Sequence, residues 1–132
     1  LRAYNAFQNK IMDIYGEEKS VYAGYGATEE QPDFNADGSD FDAYYDYWYE
    51  QLVLEGEASG RVIEEETDLT VNGMQAKRLI YSQQQYMESQ TCAAYFIEGT
   101  DHYYQVYFFC AQSKFDRHLR EFETILASFH EI

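Results

Sequence analysis

The clearest periodic signal lies near the C-terminus, where Phe115, Leu119, Phe122, Leu126 and Phe129 recur at helical intervals. That spacing keeps one face of a 3.6-residue helix apolar and predicts a packed terminal helix. Ser113 precedes the stripe with Asp116 three residues on, a Ser-x-x-Asp variant of the capping box that marks the start. Arg117 with Glu121, and Asp116 with Arg120, stand four apart on the wet face, each pair contributing about 0.3 kcal/mol. A second stripe, Phe41, Tyr45, Trp48 and Leu52, predicts a helix capped by Ser39 or Asp40, ended by Gly56 and Gly60, with Asp42, Asp46, Tyr49 and Glu50 turned outward. Tyr4, Phe7, Ile11 and Ile14 also fall at helical spacing before Gly16, so residues 1–16 are expected to be helical.

The remaining pattern is that of strands. Val21, Ala23, Tyr25 and Ala27 alternate, and residues 29–40, with Pro32, Asn35 and Asp37-Gly38, read as an acidic surface loop. Val62 and Ile63 predict a short strand. Leu69–Val71 and Met74–Tyr81 are joined by Asn72-Gly73, a strong short-range hairpin signal because both turn positions require positive φ. Residues 86–98 and 102–112 predict a second hairpin around Glu98-Gly99-Thr100-Asp101. In its last strand Tyr104, Val106, Phe108 and Cys110 fall on one face, and Tyr103, Tyr107 and Phe109 on the other. A strand apolar on both faces belongs near the centre of a sheet. Runs of antiparallel strands bracketed by helices predict an α+β fold, an antiparallel β-sheet flanked by helices. The expected organisation is a single domain over 1–132: an N-terminal helix and strand of unassigned placement (1–28), the acidic loop (29–40) and a core (40–130).

Within that core, Leu69-Thr-Val-Asn-Gly-Met-Gln-Ala76, Tyr95-Phe-Ile-Glu-Gly-Thr-Asp-His-Tyr-Tyr-Gln-Val106 and Phe115 through Phe129 resemble the PsbP-like group. That group shares its α/β/α sandwich with Ran-binding nuclear-import factors and with small bacterial secreted lipoproteins, the branch this chain looks most similar to. The resemblance implies helices on both faces of the sheet, no cofactor, and a role as a binding or assembly factor. It carries no catalytic residues. The family's N-terminal strand with a Pro-x-x-Trp turn is not recognisable here, which leaves open whether residues 1–28 join the sheet.

Composition narrows the function. Nine Lys plus Arg stand against 24 Asp plus Glu, a formal charge of −15. The densest cationic stretch, Lys114, Arg117, His118 and Arg120, is interrupted by Asp116, so no phosphate-tracking stripe exists and nucleic acid is not an expected partner. No apolar run is long enough for a bilayer-spanning helix, so membrane insertion by this segment is not expected. The chain begins at Leu1 rather than Met, from which we expect a removed targeting segment, and the resemblance to secreted lipoproteins implies a processed or lipid-anchored protein of the cell envelope or extracellular space.

Four sets of residues could carry chemistry. Asp33, Asn35, Asp37 and Ser39 alternate oxygen ligands around Gly38 as a calcium loop does, but the closing position is Tyr44 rather than a bidentate carboxylate. The simpler reading is an acidic turn leading into a helix cap. Tyr47 and Tyr49 are the members of the aromatic run 44–49 that the stripe does not bury, and could stack on a ligand; ordinary packing is the competing account. Cys92 and Cys110 fall on the two strands of one hairpin: a loop of odd length would put them on one face, where a disulfide could form, and one of even length on opposite faces as free thiols. His102, His118 and His130 are too scattered for a zinc site and are expected at the surface. The leading expectation is therefore a non-catalytic binding or assembly domain with an extracellular protein or other ligand. The alternatives are a carboxylate-dependent hydrolase, which needs two facing carboxyls with one pKa raised, and a calcium-stabilised module.

Overall fold

The computed structural model describes residues 2–5, 10–18, 41–56, 60–85 and 88–131. Among these, six strands form one antiparallel sheet. They are β1 (Arg2–Asn5), β2 (Lys10–Glu18), β3 (Val62–Val71), β4 (Met74–Gln85), β5 (Glu88–Glu98) and β6 (His102–Ala111), in the order β1-β2-β6-β5-β4-β3. Helix α1 (Phe41–Gly56) packs on one face and α2 (Phe115–Ala127) on the other. The expected α+β sandwich is the fold observed.

The two-faced strand decides this arrangement. β6 sits between β2 and β5, and its residues alternate between two cores. Tyr103 and Tyr107 join Phe41, Tyr44, Tyr45 and Leu52 of α1, while Val106, Phe108 and Cys110 join Phe115, Phe122 and Leu126 of α2. On the α2 side the Phe108 and Phe122 rings stack at 4.3 Å and 17°. On the α1 side Tyr44 stacks on Tyr103 at 4.0 Å and 15°. Burying a ring of this size stabilises by about 1.5–3 kcal/mol, so both helices are held by aromatic area rather than by surface charge.

The described residues of the expected N-terminal helix are not helical: 2–5 and 10–18 are strands, and β2 fills the edge of β6 that β5 leaves open. Met12 and Ile14 turn to the α2 face, opposite Phe108 and Val106, so period-two alternation overrides the helical spacing. The N-terminal segment therefore belongs to the sheet. The expected strand at Val21–Ala27, the loop with Asp33, Asn35, Asp37 and Ser39, and the cap at Ser39 or Asp40 lie outside the described residues.

The first hairpin is as expected, with Asn72 at φ 48° and Gly73 at φ 81°. Asn72 does more than turn: its amide Nδ2 donates to the Ala127 carbonyl at 2.9 Å and to the Phe129 carbonyl, tying the hairpin to the end of α2. Val62–Ile63 is not a separate strand but the start of β3, which is irregular between Ile63 and Glu65. β3 is the last strand of the described sheet, and Glu64, Glu65, Glu66 and Asp68 along it are exposed. That charge discourages edge-to-edge pairing and argues against β3 as a strand-adding surface.

Ser113 does not cap α2. Gln112–Lys114 form a 3-10 turn and the residue at the N-cap position is Lys114, with no side-chain cap. α1 buries Tyr44 as well as Phe41, Tyr45 and Leu52 of the expected stripe, while Trp48 is half-buried and Tyr49 packs against the same core rather than facing away. His118 is not at the surface: it is 1% exposed on α2, with Nδ1 3.5 Å from Glu121.

The cysteines are free. Between the last paired positions, Glu98 and Tyr103, lie residues 99–102, an even number, so Cys92 pairs with Phe109 and Cys110 with Thr91. Cys92 therefore points into the α1 core and Cys110 into the α2 core. The sheet separates them, which rules out the bridge. Burial pushes the Cys92 thiol up to about 12, so it is not a nucleophile at neutral pH.

Two measurements check this packing. Gly73→Ala forces a side chain into positive φ and should lower unfolding free energy by about 1–2 kcal/mol in urea, with unchanged m-value. A thiol reagent should react slowly with the native chain and count two thiols after denaturation without reductant; a count of zero would contradict the opposite-face register.

Candidate binding groove

α1 lies over β4, β5 and β6 but not over β2, so the α1-side residues of β2 stay outside the helix footprint. They are Asp13, Tyr15 and Glu17, opposite Tyr107, Gln105 and Tyr103. Between this row and the C-terminal half of α1 runs a groove of about 380 Å³. One wall is Asp13, Tyr15 and Glu17; the other is Trp48, Leu52 and Glu55; the floor is Gln105, Tyr107 and Phe109; and Tyr81 and Arg61 close one end.

Local chemistry holds these walls in place. The Tyr107 hydroxyl donates to Gln105 Oε1, and Gln105 Nε2 donates to the Tyr44 hydroxyl at 2.7 Å. A buried amide thus has partners on both ends, which avoids the cost of an unsatisfied polar group under α1. Tyr15 is 51% exposed and meets the Tyr107 ring edge-on at 5.9 Å. Arg61 latches the end of α1. Its Nη1 donates to the Leu52 carbonyl at 2.6 Å, its Nε and Nη2 donate to Gln83 Oε1 at 3.0 and 2.8 Å, and its guanidinium sits 4.4 Å above the Tyr81 ring. Gly56 is required there, because a Cβ on it would lie 2.5 Å from the Arg61 Cβ.

Burial sets the protonation of the lining groups. It raises the Tyr81 and Tyr107 phenols well above their usual 10.0, so both stay neutral. It also lifts the Glu17 carboxyl above its ordinary 4.5. A raised carboxyl in a cleft is what the hydrolase reading requires, but its strand neighbour is badly placed. Asp13 and Glu17 are four residues apart on one strand, with Cα atoms roughly 13 Å apart. Carboxyl pairs that cleave glycosidic bonds stand about 5–9.5 Å apart. The two acids flank Tyr15 instead of facing each other.

Tyr47 and Tyr49 do not line the groove. Both are half-buried on α1, Tyr47 against Trp48 and Tyr49 against Tyr45. Two residues apart on a helix, they project about 200° around the axis from one another and cannot share a platform. The residues that do line the groove were missed because they come from five separate stretches of chain. One available signal was the strand apolar on both faces, which needed a neighbour on each side and so pointed to the alternation in 12–17.

A second cavity of about 350 Å³ lies on the α2 side, lined by Arg78, Tyr95, Glu123 and the Asn72 hairpin. Arg78 there is committed to Glu65 at 2.5 Å and Glu123 at 3.2 Å, bonds that fasten α2 to the edge of the sheet. Among the described residues no group of three His, Cys, Asp or Glu is placed to hold a metal ion, and no helix is long and apolar enough to cross a membrane.

No protein-family model and no curated protein matches the chain. Solved structures share the fold, two of them as follows. A Pseudomonas aeruginosa protein of unknown function, PA94, described as a candidate regulator, superposes with TM-score 0.64 at 15% identity, covering 100% of this chain and 90% of that one. The PsbP of the cyanobacterium Synechocystis, solved in solution, gives TM-score 0.60 at 11% identity, covering 99% of this chain and 73% of that one. The chain has a PsbP-like fold; identities this low carry the architecture alone.

The Glu17 carboxyl supplies a test of the groove's desolvation. The native state favours protonated Glu17, so it binds more protons than the unfolded chain between pH 4.5 and the raised value, and stability falls as pH climbs through that window. Glu17→Gln should therefore stabilise the protein at neutral pH, by less than about 1 kcal/mol because water still reaches the group. Below the ordinary value of 4.5 the difference in urea midpoint should vanish.

Proposed function

We propose that the chain is a non-catalytic binding domain whose working surface is the groove between α1 and β2, and that its ligand is a protein of the cell envelope or extracellular space. The observation that carries this reading is the arrangement of the groove. Exposed Tyr15, half-buried Trp48 and buried Tyr107 present aromatic surface around an opening, on a scaffold otherwise covered in carboxylates. Tyrosine and tryptophan supply much of the energy of protein contacts because they bring large area with few rotors. At about 380 Å³ the groove is small for a cofactor and suited to a side-chain anchor from a larger partner.

The other surfaces fit the role less well. β3 is guarded by charge, and the polar groups of the α2-side cavity are committed, Arg78 to Glu65 and Glu123 and the Asn72 amide to the end of α2. The fold shared with PsbP and with PA94 is compatible with a binding role by analogy, and the cell-envelope placement is carried over from the resemblance in the sequence alone.

Hydrogen exchange tests the assignment. Proteins retained by the immobilised chain from an envelope or culture-medium fraction should slow amide exchange in residues 12–17, 48–55 and 103–109. Protection concentrated on β3 or on α2 would overturn it.

A further inference from the structure

Given the groove as the contact surface, we infer that it receives a guanidinium-bearing side chain, an arginine of the protein partner, laid between Tyr15 and Trp48 with its charge toward Glu17 and Glu55. The inference rests on the binding reading above and adds the chemistry of the occupant.

Three independent features select a cation, and an organic one. First, the lining sets three carboxylates, Asp13, Glu17 and Glu55, against one guanidinium. That guanidinium is already committed, because Arg61 spends its donors on the Leu52 carbonyl and Gln83. An anionic ligand would find no uncommitted cation among the lining residues and would face the carboxylates, while a chain of net charge −15 draws cationic partners from a distance.

Second, the carboxylates are spread along the groove instead of converging. Among the described residues no three acids could hold a point cation such as calcium. A delocalised charge on an apolar stem suits scattered acids separated by rings better than a compact ion does.

Third, the groove already shows this contact within the molecule. At its closed end the Arg61 guanidinium lies 4.4 Å over the Tyr81 ring, and Tyr15 and Tyr107 continue the aromatic lining toward the open end. Arginine stacks on aromatic faces and is more weakly hydrated than lysine, so it loses less on entering such a site.

The chain has a single tryptophan, and it lines the groove, so intrinsic fluorescence reports occupancy directly. N-acetyl-arginine amide should give a saturable change in Trp48 emission. The uncharged citrulline counterpart should bind about tenfold more weakly, and the lysine counterpart should fall between. Affinity for the arginine probe should drop as salt rises. Glu17→Gln, Glu55→Gln and Tyr15→Ala should each weaken it about three- to tenfold, while Asp46→Asn, an equal charge change at an exposed site on α1 outside the groove, should not.

Equal responses to arginine and citrulline would overturn the guanidinium assignment and leave the groove as a contact surface. Equal responses to arginine and lysine would overturn the preference for arginine. If Trp48 responds to no probe, the inference falls, while the hydrogen-exchange experiment decides the groove on its own.

Discussion

The structure depends on one constraint: β5 and β6 are apolar on both faces, so each face of the sheet centre must be covered and each edge of the pair must be occupied. Ala93, Tyr95 and Ile97 of β5 face α2, while Cys92, Ala94 and Phe96 face α1. Among the described residues one helix covers each face. The ring stacks Phe108–Phe122 and Tyr44–Tyr103 are where each helix is fastened. Polar bonds then fix orientation: the Tyr45 hydroxyl donates to Glu66 at 2.6 Å on one side, and Arg78 reaches Glu123 on the other.

The groove follows from that constraint. A helix is about 10–12 Å across with its side chains, and strands lie about 4.8 Å apart, so one helix shields two or three strands. α1 is centred over β4 to β6, and among the described elements no helix lies over the face of β2 beside it. The two faces of β2 are accordingly unlike: Met12 and Ile14 enter the α2 core, while Tyr15 and Glu17 on the α1 side line the groove and Asp13 is buried at its wall. The polar row that looks like the wet side of an amphipathic segment is one wall of the groove proposed to bind.

How much of this was legible follows the same logic. α2, the Asn72-Gly73 turn and the central position of β6 could be read because each is declared within a short window: a 3.6-residue stripe, a turn dipeptide, a run apolar on both faces. The N-terminal strands could not, since Tyr4, Phe7, Ile11 and Ile14 satisfy a helical period while Met12 and Ile14 satisfy a strand period. Only the empty edge of β6 chooses between the two, and that is long-range information. Tyr44 was missed because a stripe through Phe41, Tyr45, Trp48 and Leu52 passes beside it, although position i+3 belongs to the same face. Ser113 carried a capping pattern that a 3-10 turn displaced by one residue. His118 sits three residues after Phe115 and four before Phe122, on the buried face, so its position in the stripe spoke for burial where its chemistry suggested the surface.

A half-exposed groove of this size gains little area from a single side chain, so its usefulness turns on how little must be ordered when it fills. Three restraints bear on that. β2 is hydrogen-bonded to β6 from Ile11 to Glu18, which fixes the wall bearing Tyr15 and Glu17, and β1 adds a second partner over Lys10 to Asp13. The far wall is held where Arg61 grips the Leu52 carbonyl and packs against Gly56, and the backbone N–H of Arg61 donates to the Gly56 carbonyl at 3.0 Å. The floor is locked by the bonds from Tyr107 through Gln105 to Tyr44. With backbone and floor in place before a partner arrives, the main freedom given up on the protein side is that of Tyr15 and Glu55, about 0.5–1.5 kcal/mol for each immobilised side chain. Contacts between a cation and aromatic rings at partly exposed sites are of the same order, about 0.5–1 kcal/mol. A preformed groove is therefore the condition under which so modest a recognition element can anchor a partner, and the Arg61 latch and the Gln105 clamp supply it.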